Sequence, residues 1–137
     1  MVKENLAAPR KFGYPHARMH AARLQVEPVT RLLRALGDDT RLRILALLAQ
    51  GELCVCHVQQ ALSLSQPAAS RHLAVLKAAG AIESRRAGSW TWHRLALQPD
   101  ARRRSLLKTL LRGFPAQDLL RKDVERLVRA KGPAACR

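Results

Sequence analysis

Two cysteines one residue apart, Cys54-Val55-Cys56, are the side chains of this sequence best placed to do chemistry. Thiolates are soft ligands and select thiophilic ions over the hard cations that carboxylates hold. The third cysteine, Cys136, lies next to the C-terminal residue. Three is too few, and an odd number, for a disulfide framework; it suits a reducing compartment where thiols bind metals or report redox state. On a regular helix, residues i and i+2 point about 200° apart, whereas in extended backbone they share a face. Cys54 and Cys56 fall at the start of a short helix, so holding one ion with both sulfurs is expected to deform its first turn. His57 could add a nitrogen for zinc or cadmium, but it is read as a surface residue. A second chemistry open to these thiols is redox or persulfide switching, within the pair or with Cys136.

Catalytic readings find little support. A Cys-x5-Arg phosphate loop would need arginine where Gln60 and Leu62 stand. There is no Cys-x-x-Cys pair, no glycine-rich phosphate loop and no nucleophile–base arrangement, so no enzyme is expected. His16 and His20 have the i, i+4 spacing of a helical metal pair but are read as solvated residues of a tail.

The elements that must position the cysteines belong to a small basic chain. It has 137 residues and 25 Lys and Arg against 10 Asp and Glu, a formal net charge of +15. Such an excess on a domain with 47% apolar residues points to a polyanionic partner, nucleic acid first. At 4% aromatic, the chain is poorly equipped to stack single-stranded bases. The longest apolar run, Ile44–Ala49, is far too short to span a bilayer, and no secretory leader pattern is visible. The expectation is a soluble cytoplasmic protein without a membrane partner.

Residues 1–24 read as a basic flexible arm, 25–113 as the main domain, and 114–137 as a helical extension and tail carrying Cys136. Val26, Val29, Leu32, Leu33 and Leu36 have helical spacing. Asp38, Asp39 and Thr40 offer an N-cap to a second helix with Leu42, Leu45 and Leu48 on one face. A short helix over Val55–Leu62, a three-residue turn and a helix over 66–79 form a helix-turn-helix pattern. Ser65 caps the last of these, with Pro67 in its first turn. Ala81–Arg86 and Trp90–Leu97 then read as a hairpin. A helix from Asp100, rich in leucine at 106, 107, 110 and 111, breaks at Gly113-Phe114-Pro115, and an amphipathic stretch from Leu119 to Val128 follows.

In a helix-turn-helix the second helix reads the major groove of double-stranded DNA. The side chains expected to meet DNA there are Gln66, Ser70, Arg71, His72 and Lys77. Glutamine can pair with adenine and arginine with guanine, while Ser70 and the helix N-terminus suit phosphate. Arg85 and Arg86 near the hairpin tip, and Arg94 on the return strand, suit the backbone or minor groove.

The ordered stretches Leu36-Gly-Asp-Asp-Thr-Arg-Leu-Arg-Ile-Leu45, Glu52-Leu-Cys-Val-Cys56, Leu64-Ser-Gln-Pro-Ala-Ala-Ser-Arg-His-Leu73 and Arg85-Arg-Ala-Gly-Ser-Trp90 resemble the ArsR/SmtB family of metal-sensing repressors, most of all its arsenic-responsive ArsR branch. The resemblance covers about residues 27–98. It implies a mainly α fold with a small β-hairpin, a winged helix-turn-helix, and a homodimer built on the first and fifth helices. It also implies repression relieved by an effector. In that branch the effector is trivalent arsenic or antimony, held by Cys-x-Cys and often a third cysteine three places on. Here that place is Gln59, which leaves Cys136 as the candidate third ligand beside Cys54 and Cys56. The fifth-helix ligands of the family's zinc sensors are missing, since Asp100-Ala101-Arg102 has no histidine and none follows.

Overall fold

The computed structural model describes residues 28–98 and 100–130. Helix α1, described over 28–36, buries Leu32, Ala35 and Leu36. Helix α2 (Asp39–Leu48) starts where Asp38, in extended conformation, accepts the Arg41 backbone N–H at 2.9 Å. That hydrogen bond, helped by the charges of Arg41 and His72, holds the Asp38 carboxyl below its usual range. All five residues Ile44–Leu48 are buried, because α2 is packed on several sides at once.

Strand β1 (Leu53–Cys54) leads directly into α3 (Val55–Leu62). Ser63 then takes a left-handed conformation, φ 55°, and α4 (Gln66–Ala78) begins after the Ser65 cap. The sequence places that cap well: the Ser65 hydroxyl accepts the Ala68 N–H at 3.3 Å. Ala69, Leu73 and Leu76 form the buried stripe of α4. Gly80, at φ 73°, closes the helix, and Ala81 N–H reaches back to Leu76 C=O at 2.9 Å.

Strands β2 (Ile82–Ala87) and β3 (Trp90–Leu95) form the hairpin, with Gly88 at φ 60° in its turn. The expected two-stranded hairpin is incomplete. β1 adds to it, giving an antiparallel sheet in the order β1-β3-β2. A two-residue strand has no alternation to read in sequence; it forms because Leu53 and Cys54 lie opposite His93 and Trp92. One face of the hairpin, carrying Ile82 and Leu95, turns to the core; the other carries Glu83, Arg85, Trp92 and Arg94.

Helix α5 (Ala101–Gly113) buries only Leu107 fully, and a 3-10 turn (Phe114–Ala116) links it to α6 (Asp118–Ala130). Helix α6 packs on α2 and α3. Its Leu120, Asp123 and Leu127 are buried at helical spacing, so residues assigned by sequence to an extension share the core of the domain. Arg43 of α2 grips the fully buried Asp123 carboxylate with two hydrogen bonds of 2.7 and 2.8 Å, and Arg126 adds a third at 3.3 Å. The Asp123 carboxylate raises the Arg43 guanidinium above its ordinary pKa.

Candidate functional site: the sulfur pair and the basic face

Cys54 is the last residue of β1 and the N-cap of α3, with extended dihedrals of φ −87° and ψ 167°. Cys56 is the second residue of the helix. Their Cα atoms are 5.5 Å apart and their sulfurs meet in a disulfide. In this disulfide state the helix keeps its first turn. Cys54 stands outside the helix in backbone where i and i+2 converge, and α3 still runs from Val55.

His57 departs from the sequence expectation. It is not a surface residue but is 6% exposed, on the inward stripe with Val58, Ala61 and Leu62. Its Nδ1 lies 3.3 Å from the Cys54 backbone nitrogen, which donates to it, and 3.3 Å from Cys54 Sγ. Its ring leans on Trp92, with centroids 5.9 Å apart at 51°. One donor atom from each of Cys54, Cys56 and His57 falls within 4.8 Å of the others. The signal for His57 was present in sequence as the 57, 58, 61, 62 spacing, which continues the apolar face of a helix through a histidine. Cys136 lies outside the described residues, as do His16 and His20.

The second cluster is the basic face. On α4, Arg71 points directly away from the buried stripe. Gln66, Ser70 and Lys77 share one flank and are exposed, whereas His72 lies on the other flank, half-buried, 3.8 Å from Asp38 Oδ1. In the wing, Arg85 makes two hydrogen bonds of 2.7 and 2.6 Å to Glu52, just before β1. Arg94 reaches Glu83 at 2.6 Å across the hairpin. Arg86 is exposed on the opposite face. The helix arginine thus stands clear while two wing arginines are held by carboxylates. Glu52 in turn is kept below its ordinary pKa by its hydrogen bonds with Arg85. Behind the wing, burial holds the His93 imidazole below its usual pKa, and the Lys77 charge pushes it the same way.

A family model for bacterial regulatory proteins of the arsR family matches residues 38–84, from the α2 cap into β2. The arsenic resistance transcriptional regulator ArsR1 of Pseudomonas putida is 38% identical over 122 residues, covering 85% of this chain and 92% of that protein. The chain belongs to the ArsR family. The arsenical resistance operon repressor of Escherichia coli is 48% identical over 67 residues, covering 48% of this chain and 57% of that one. Among solved structures, the transcriptional repressor BigR of Xylella fastidiosa superposes with a TM-score of 0.59 at 29% identity, covering 73% of this chain and 96% of that one. A homodimeric winged helix-turn-helix domain from Mycobacterium bovis superposes with a TM-score of 0.57 at 34% identity, covering 66% and 83%. This ArsR-family protein is therefore a winged helix-turn-helix transcriptional repressor and not an enzyme. No helix among its described residues is long and apolar enough to cross a membrane.

Proposed function

We propose that this ArsR-family repressor acts in the cytoplasm as a homodimer, binds double-stranded operator DNA through α4 and the β2–β3 wing, and is released when trivalent arsenic or antimony binds the Cys54 and Cys56 thiolates. Helices α1 and α5 would form the dimer interface; Leu33 on α1 is half-exposed, which suits that role. Arg71, Gln66, Ser70, His72 and Lys77 would serve the groove, and Arg85, Arg86 and Arg94 the backbone. Cys136 is the candidate for a further sulfur. The observation that carries the reading is the place of Cys54: it ends a strand of the wing's own sheet and caps the helix before the reader. An ion drawing on both sulfurs therefore pulls on the wing through β3 and on α4 through α3. Allosteric couplings of about 1–3 kcal/mol are typical, enough to weaken DNA binding about 5- to 150-fold.

The test is fluorescence anisotropy of the reduced protein on its own promoter DNA, titrated with arsenite. Release at one equivalent per chain, lost in Cys54→Ser and Cys56→Ser variants that still bind DNA, supports the reading. Indifference to arsenite sinks it. The sulfur–sulfur contact also favours a redox reading. Release by peroxide or polysulfide, with arsenite inert, would select that one.

A further inference from the structure

We propose that the His57 imidazole, through Nδ1, is the third donor of the Cys54–Cys56 site, and that this two-sulfur, one-nitrogen set takes a divalent cation of the cadmium and zinc class. The inference rests on the reading of the two cysteines as effector ligands and adds a ligand and an ion class to it. Three observations carry it. First, the span is right. A tetrahedral ion with bonds of about 2.3 Å to sulfur and about 2.0 Å to nitrogen separates the two donors by about 3.5 Å, and Cys54 Sγ and His57 Nδ1 are 3.3 Å apart. Cys56 Sγ belongs to the same 4.8 Å cluster, so reducing the disulfide to two thiols leaves three donors around one point.

Second, the tautomer suits a ligand. The Cys54 backbone N–H can only donate, so the Nδ1 it meets presents its lone pair and the ring proton sits on Nε2. An incoming cation takes that lone pair over. Third, the charge balances. Cys54 and His57 are buried, at 1% and 6% exposure, and uncompensated charge in such a place is strongly disfavoured. Two thiolates, a neutral imidazole and a divalent cation sum to zero, and the two thiol protons leave to solvent on binding. Trivalent arsenic on the same three donors would need a further anion.

The probe is cadmium chloride added to the reduced full-length protein. Expected are one equivalent bound per chain, a thiolate-to-cadmium ultraviolet band and a change in Trp92 emission, since that ring touches His57. Trp90→Phe leaves this emission change in place. X-ray absorption at the cadmium edge should show two sulfurs and imidazole scattering. In His57→Ala the imidazole signature disappears and cadmium affinity falls tenfold or more. His57→Cys should restore the affinity with a third sulfur. Unchanged affinity and spectrum in His57→Ala overturn the proposal, as does a wild-type spectrum without imidazole, which decides even if the variant does not fold. Loss of cadmium in Cys136→Ser, with His57→Ala unaffected, would assign the third donor to Cys136 instead. Cadmium bound as described with arsenite failing to release DNA would overturn the arsenic reading and leave this one standing. Arsenite release without cadmium binding would do the reverse.

Discussion

Arg71 stands exposed opposite the buried stripe of α4, which makes it the first of the proposed DNA contacts to test. Arg71→Ala is expected to weaken specific DNA binding by about 1–3 kcal/mol, the range of a good arginine–guanine pair, and to relax preference at one base position. Anisotropy against operator variants reads both effects. His93 supplies a pH prediction. Its folded-state pKa lies below its ordinary 6.5. The unfolded chain therefore binds the proton more readily, and stability falls as pH drops through 6.5 toward the lowered value, with nothing lost above it. Thermal melts between pH 8 and pH 5 should show this slope, and His93→Gln should flatten it. At this scale Cys54 and Cys56 were legible, because soft donors one residue apart carry their meaning in their types. His57 was legible only through its helix phase. A histidine between a cysteine and a valine looks solvated, and only the 57, 58, 61, 62 spacing turns it inward.

At the scale of elements, α6 is bound to α2 by a charge pair with no exposed carboxylate. Asp123→Asn leaves the Arg43 guanidinium partly buried without its charge partner and should cost about 3 kcal/mol. The double change Arg43→Met with Asp123→Leu should recover most of that loss, and a double-mutant cycle by urea unfolding measures the coupling. The helices were legible in sequence because their periods and caps are local. Ser65, Asp38 and Gly80 each act where their chemistry predicts. Strand β1 was not, since its two residues become a strand only when Trp92 and His93 arrive from about forty positions away. Nor does sequence show that Asp123 is buried; an acidic residue between Lys122 and Val124 reads as solvent-facing until Arg43 is placed against it.

For the molecule as a whole, the charge of +15 should make binding steeply dependent on salt. Arg86→Ala is expected to lower the slope of log affinity against log salt by about one contact's worth, with little change in sequence preference. Titrations at several salt concentrations give that slope. Arg85→Ala differs in kind, because it also frees Glu52 and loosens the wing from the start of β1.

The contact between α5 and the end of α4 bears on a quantity that no single protomer possesses. Arg103 of α5 donates to the Ala79 carbonyl at 2.7 Å, and a Cβ on Gly80 would stand 2.6 Å from the same guanidinium. If α5 joins the two subunits, this side chain is the strut between the joint and each reading head. In that arrangement it would work like the hinge pin of a caliper. Arg103→Ala should leave one half-site bound as before yet blur the gap the pair tolerates between half-sites, so that operators lengthened or shortened by a base pair are no longer refused.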